Sequence, residues 1–118
     1  MKGQAFPKRL RFACNGLKSA ATRESSFRIH LVVTACVLLI LLVTRPPLVW
    51  WAILAMTTGL VLITELFNAA LETLIDQLHP GMHPEIGIAK DLAAGAVLVA
   101  GIIAVVVGCV FLVDRVVG

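Results

Sequence analysis

Three long apolar runs, separated by two short proline-containing breaks, dominate the pattern of hydrophobic and polar positions. A helix of about 20 apolar residues crosses the hydrocarbon core of a bilayer, so each run predicts a membrane-spanning helix. The predicted spans cover residues 29–44, 48–78 and 86–117. Arg45-Pro46-Pro47 ends the first span, because proline lacks a backbone donor and restricts the residue before it.

The segment before the first span predicts a different kind of helix, over residues 6–28. Apolar side chains recur there at helical spacing, and basic side chains fill positions between them. A helix of this kind lies along the membrane interface rather than across the bilayer. The whole pattern therefore predicts an all-α integral membrane protein. It has one amphipathic interfacial helix and three transmembrane helices in a single domain over residues 1–118.

Composition and charge narrow the classes of function. The chain has 118 residues, 59% of them hydrophobic, which leaves no room for a large soluble domain beside three spans. Seven of the ten Lys and Arg residues precede the first span, so the positive-inside rule predicts a cytoplasmic N-terminus. This basic segment flanks a membrane span and carries no recognisable nucleic-acid-binding motif, which disfavours nucleic-acid binding.

Four polar residues interrupt the second apolar run: Glu65, Asn68, Glu72 and Asp76. At about 100° per residue, their spacing places them within roughly an 80° arc of one helix face. A carboxylate at bilayer depth costs roughly 2.5–3.5 kcal/mol on insertion scales, so three on one face indicate a shared ligand. The candidates are a hard divalent cation, protons, or a polyanion bound through a cation.

The loop after the second span is short, so the second and third helices are expected to be antiparallel neighbours. That arrangement brings Lys90 and Asp91 to the same side of the membrane as Glu72 and Asp76, and Glu24 reaches that level from the interfacial helix. Phosphoryl transfer uses such groups: carboxylates that bind magnesium, a lysine that neutralises phosphate, and a carboxylate that accepts a hydroxyl proton. There is no glycine-rich Walker loop, so a nucleotide site here is not a P-loop.

The two segments with most of these groups read Glu65-Leu-Phe-Asn68-Ala-Ala-Leu-Glu72-Thr-Leu-Ile-Asp76 and Ala89-Lys90-Asp91-Leu-Ala-Ala-Gly-Ala-Val. Upstream lie Gly16-Leu-Lys18-Ser-Ala and Glu24-Ser-Ser-Phe27-Arg28. Together they resemble the signature of the prokaryotic diacylglycerol kinase family, small integral membrane lipid kinases that include undecaprenol kinases. The resemblance covers roughly residues 9–110. One departure is Gly81, at a loop position where many relatives carry an acid.

The resemblance implies a homotrimer of three-span subunits in the bacterial cytoplasmic membrane, with active sites at subunit interfaces on the cytoplasmic side. It implies transfer of phosphate from ATP, with Mg²⁺, to a lipid alcohol. Diacylglycerol is the preferred substrate and undecaprenol the alternative. The segment Phe27-Arg28-Ile29-His30-Leu31 looks somewhat more like the undecaprenol kinase branch.

The resemblance also implies roles for individual residues. Glu65 is the expected general base and contacts the lipid, as does Arg9, while Glu24 and Glu72 are the expected magnesium ligands. The residues expected in the catalytic region are Glu65, Asn68, Lys90 and Asp91. Those expected at the nucleotide are Glu24, Glu72, Asp76, Lys90, Asp91 and Lys18.

Simpler interpretations remain open for the same residues. Glu65, Asn68 and Glu72 are also compatible with a polar seam that joins helices by hydrogen bonds. Glu24 is spaced to pair with Arg28, and the basic residues of the interfacial helix also suit lipid-headgroup anchors. His30, His79 and His83 are interpreted as interfacial or loop residues, so no catalytic histidine is assigned.

Two other classes of function compete with a lipid kinase. Membrane carboxylates also serve ion relays, so a small proton- or cation-coupled transporter is one alternative. The outer half of each predicted span is apolar, however, and offers no continuous polar pathway. A non-catalytic assembly subunit is the other alternative, but it has no need for a Lys-Asp pair beside three further acids.

Overall fold

The computed structural model describes residues 3–79, 81 and 83–118, and this part of the chain forms four helices. They are α1 (Phe6–Arg23), α2 (Ser25–Thr44), α3 (Leu48–Leu78) and α4 (Pro84–Val117). The last three are long and apolar enough to cross a membrane. The predicted fold class, one N-terminal helix followed by three transmembrane helices, is confirmed.

A sharp corner at Glu24 separates α1 from α2, where the sequence predicted one helix over 6–28. Glu24 is extended (φ −111°, ψ 108°); its N–H donates to Ala20 O, and its carbonyl accepts from the N–H of Arg28. The Arg28 guanidinium donates to the carbonyls of Ala21 (3.1 Å) and Thr22 (3.0 Å), which satisfies the C-terminal end of α1. The first span consequently begins at Ser25 rather than at 29, and its 20 residues reach about 30 Å, the thickness of the hydrocarbon core.

The two later connections form at the proline-containing breaks. Arg45 closes α2 in the left-handed conformation (φ 46°, ψ 58°), with its N–H bonded to Leu41 O. Pro47 then precedes α3, whose bounds coincide with the range 48–78. α4 begins at Pro84, two residues earlier than predicted, because the ring of Pro84 suits the first turn and His83 Nδ1 accepts from the N–H of Glu85 (3.1 Å).

The helices α2, α3 and α4 pack as antiparallel neighbours. Near the α2–α3 turn, Leu41, Leu54 and Phe111 form a buried apolar cluster, one residue from each helix. The Trp50 ring meets Phe111 edge to face with centroids 5.1 Å apart, and Trp50 Nε1 donates to Asp114 Oδ2 at 2.9 Å. This cluster joins α3 to both of its neighbours near that turn.

The packed face of α3 carries Leu54, Thr57, Val61 and Glu65, which are its buried residues. Their spacing of three and four residues is one face of a helix. Most large apolar side chains of the described residues are instead exposed on the outer faces of the helices. Apolar side chains on the outside of the helices are expected where lipid rather than water surrounds the protein.

Candidate active site

The predicted polar face is the continuation of the packed face of α3. Beyond Leu54 and Val61 the same helical spacing reaches Glu65, and then Asn68 and Glu72. The interior-facing surface therefore changes from apolar to polar along one helix. The polar part lies toward the end of the bundle that carries the N-terminus of α2, the C-terminus of α3 and the N-terminus of α4. This is called the corner end below.

Glu65 is the buried member of the polar face, with 8% of its surface exposed. Its Oε1 lies 3.3 Å from Nε2 of His30 on α2, which is half-buried. A buried carboxylate needs a partner of this kind because burial without one is costly. His30 was interpreted as an interfacial residue, and the structure instead places its imidazole against the predicted general base.

Asn68 and Glu72 form a second pair on the same helix. Asn68 Nδ2 donates to Glu72 Oε1 at 3.0 Å, which orients the carboxylate predicted to bind magnesium. Asn68 Oδ1 is buried and accepts no hydrogen bond from the residues that the structure describes. Buried acceptors are rarely left unpaired, so Oδ1 is available to a donor from outside the described residues.

Lys90 forms the third pair, with Asp76. Its Nζ lies 2.6 Å from Asp76 Oδ1, and the two side chains are 39% and 63% exposed. Such an exposed pair adds little to the stability of the fold. Because both side chains are exposed, the Lys90 amine is accessible to a phosphate. The expected proximity of α3 and α4 at this level is thus present.

Asp91 does not join this group within one chain. One residue along a helix turns the side chain by about 100°, so Asp91 points away from the face that carries Lys90. Asp91 is exposed and lines a shallow depression of about 480 Å³ on α4 with Ile88, Leu92, Gly95, Ala96 and Val99. The adjacent residues of the Lys-Asp motif therefore serve different surfaces of the subunit.

Glu24 sits at the corner between α1 and α2, and it lines an apolar groove of about 910 Å³ between α1 and α3. Ala69, Ala70 and Thr73, from the part of α3 that also carries Glu72, line the same groove. Glu24 does not cap a helix through its side chain, and Arg28 bonds to the α1 carbonyls instead of pairing with it. The carboxylate of Glu24 is thus placed at the edge of an apolar surface.

Glu24 and Glu72 are both carboxylates, the type of ligand that magnesium prefers. In the described part of the chain, no group of three or more His, Cys, Asp and Glu side chains is arranged to hold a metal. Magnesium commonly uses one or two carboxylates, completed by phosphate oxygens and water. The carboxylates of Glu24 and Glu72 are ligands of the kind that this pattern uses.

Arg9 and Lys18 lie apart from these pairs. Both are exposed on α1, and neither side chain makes an ion pair or hydrogen bond within 3–79, 81 and 83–118. Their predicted contacts with lipid and nucleotide remain predictions.

The sequence analysis missed the apolar groove between α1 and α3 and the contact between His30 and Glu65. The signal for His30 was an isolated imidazole in an apolar span that faces an acid in the next antiparallel helix.

The model of the prokaryotic diacylglycerol kinase family matches residues 11–112. A diacylglycerol kinase of Synechocystis is 40% identical over 99 residues, covering 83% of this chain but only 57% of that relative. A diacylglycerol kinase of Escherichia coli is 34% identical over 107 residues, covering 86% of this chain and 83% of the relative. An undecaprenol kinase of Bacillus subtilis is 31% identical over 96 residues, covering 81% and 78%. The chain therefore belongs to the prokaryotic diacylglycerol kinase family, a family of lipid kinases, as its motifs predicted.

Proposed function

We propose that this protein transfers the γ-phosphate of ATP to a membrane lipid alcohol in the presence of Mg²⁺, converting diacylglycerol to phosphatidic acid. The observation that carries the proposal is that the polar groups on one face of α3 become more exposed toward its C-terminus. A buried carboxylate at Glu65 is followed by the Asn68–Glu72 pair and then by the accessible Asp76–Lys90 pair. A lipid hydroxyl from the bilayer and a nucleotide from water meet along such a gradient.

The chemistry assigns a task to each group. Glu65 accepts the proton of the lipid hydroxyl, whose oxygen attacks the γ-phosphorus as the bond to the β–γ bridging oxygen breaks and ADP leaves. Lys90 places positive charge on the phosphates, and Asp76 holds its amine in position. Asn68 orients Glu72. Glu24 and Glu72 would hold Mg²⁺, which would supply further positive charge beside the phosphates.

We also propose that the working unit is a homotrimer in the bacterial inner membrane, with the corner end in the cytoplasm. Support comes from Asp91, which faces away from Lys90 and is exposed in the single chain. The buried Oδ1 of Asn68 accepts no hydrogen bond within the described residues, and a neighbouring copy could supply its donor. A site completed by a neighbouring copy predicts that mixed oligomers of Glu65→Gln and Asp91→Asn subunits regain activity that neither variant has alone. Mixed oligomers without recovery contradict the shared site.

The deciding experiment measures phosphate transfer by purified protein in detergent, with diacylglycerol and undecaprenol tested in parallel. Activity should require both ATP and Mg²⁺, and Glu65→Gln or Glu72→Gln should abolish it. Glu85→Gln is the matched control, because Glu85 is an exposed acid of the first turn of α4 and lies outside the proposed machinery. No transfer to either lipid by folded protein contradicts the proposal and favours an ion relay.

Undecaprenol is the alternative acceptor, and two observations favour testing it. The Bacillus subtilis relative is named an undecaprenol kinase. The segment around His30 also resembles that branch of the family. Both alcohols present a hydroxyl group at the interface, so the same residues serve either reaction, and the parallel assay separates the two acceptors.

A further inference from the structure

His30 is the titratable side chain that the proposed chemistry leaves without a role. It lies in the apolar helix α2, and its Nε2 is 3.3 Å from Glu65 Oε1. We infer that His30 is a positioning residue that holds the Glu65 carboxylate in the orientation that accepts the lipid hydroxyl proton. This inference rests on the proposed function of Glu65 as the general base.

The packing of α2 against α3 holds this contact in place. Leu41 and Leu54 share the buried cluster near the α2–α3 turn. His30 lies 11 residues before Leu41, and Glu65 lies 11 residues after Leu54. Because 11 residues make about three turns, both pairs lie on one antiparallel interface in the same register.

His30 lies in a regular helical segment of α2, one turn from a buried side chain. Phe27, one turn earlier on α2, has 4% of its surface exposed. One turn later, Thr34 Oγ1 donates to the carbonyl of His30 at 2.7 Å. The imidazole therefore projects from a helical segment whose position is held by packing, and it meets Glu65 without a mobile loop between them.

No other residue of the polar face of α3 is seen to position Glu65 in the described part of the chain. Asn68, one turn beyond Glu65, donates to Glu72 instead. The His30 imidazole contacts Oε1 of Glu65. In the proposed reaction, Oε2 is then the oxygen that faces the hydroxyl. A glutamate has three rotatable bonds, so the loss of this contact lets the carboxylate leave its productive orientation.

The expected consequence is a defect in turnover rather than in substrate affinity. A misplacement of about 1 Å at a reacting group costs on the order of 100-fold in rate. For His30→Leu, we expect kcat to fall about 10- to 100-fold, while KM for ATP and for the lipid changes by less than about threefold. His30→Gln keeps an N–H donor at similar reach and should recover most of the lost kcat.

The test compares wild type, His30→Leu, His30→Gln and the matched control His79→Leu, an exposed histidine at the end of α3. Thermal unfolding and oligomer size are measured for every variant. Glu65→Asp shortens the base by one methylene and breaks the contact, so His30→Leu should cost less than about threefold when added to it.

Two outcomes overturn the inference while leaving the proposed function intact. One is active wild type with unchanged kcat in His30→Leu. The other is an equal loss of kcat in His30→Leu and His30→Gln when both variants are folded. If His30→Leu does not fold, folded His30→Gln decides: a kcat near that of wild type is expected, and a loss of about 10-fold or more overturns the inference. Inactive folded wild type instead refutes the proposed function itself.

Discussion

The Arg28 side chain bonds across the corner between α1 and α2, and replacing it tests how that corner is built. Its Nη1 donates to the carbonyls of Ala21 (3.1 Å) and Thr22 (3.0 Å) near the C-terminus of α1. Glutamine has a similar helix propensity, but it is neutral and too short to reach both carbonyls. Arg28→Gln is therefore expected to free the last turn of α1 while α2 stays helical.

The magnitude follows from the two hydrogen bonds. A hydrogen bond contributes about 0.5–1.5 kcal/mol net, and the lower half of that range applies here because these groups are exposed. Losing both lowers the free energy of opening this turn by about 1–2 kcal/mol. The opening equilibrium constant then rises about 5- to 30-fold, which accelerates amide hydrogen exchange by the same factor.

The assay is amide hydrogen exchange followed by mass spectrometry on protein in lipid nanodiscs, with α1 and α2 read separately. Arg11→Gln is the matched control, since Arg11 is exposed on α1, the helix whose exchange is expected to change, and makes no side-chain hydrogen bond within the described residues. Unchanged exchange in α1 of Arg28→Gln refutes the reasoning, as does an equal acceleration in Arg11→Gln.

The same variant has a functional consequence because Glu24 forms the corner. If Glu24 helps to hold Mg²⁺ as proposed, Arg28→Gln should raise the half-saturating Mg²⁺ concentration several-fold without changing KM for the lipid. A titration of activity against Mg²⁺ measures this. An unchanged Mg²⁺ requirement combined with faster exchange in α1 would mean that Glu24 does not depend on the corner.

Three further predictions concern single side chains. Lys90→Gln should lower kcat by about 100-fold, the cost of removing one charge-stabilising group, while the unfolding temperature stays unchanged because its pair with Asp76 is exposed. Trp50→Phe removes the N–H donor to Asp114, so it should lower the unfolding temperature. It should leave kcat within about twofold, since the proposed site lies about 22 Å away along α3. Arg45→Gly should retain or raise stability, by up to about 1 kcal/mol, because glycine accepts the positive φ at this position without strain; a lower unfolding temperature would show that the Arg45 side chain contributes more than its backbone strain costs.

Much of the architecture follows from local properties of the chain. Runs of apolar residues predict spans because a helix satisfies its own backbone groups in lipid, and Pro46 and Pro47 end the first run by the geometry of their rings. The polar face of α3 is equally local, since 3.6 residues per turn place Glu65 and Glu72 on one side wherever the helix packs. Family membership followed from the same motifs.

Other features depend on contacts between helices and are absent from any local pattern. No proline or glycine marks the corner at Glu24, where the Arg28 side chain bonds two carbonyls near the end of α1. Lys90 and Asp91 are adjacent in sequence, yet they serve different surfaces because α4 presents one toward α3 and the other outward.

Helical periodicity and hydropathy act within one element, so they were enough to predict three apolar spans, an amphipathic N-terminal segment and a polar face on the second span. Which residues meet across elements depends on how the helices pack. His30 meets Glu65 in the register at which Leu41 and Leu54 share one buried cluster. A shift of one residue would rotate the imidazole by about 100° away from the carboxylate, and only the packing between the helices specifies that register.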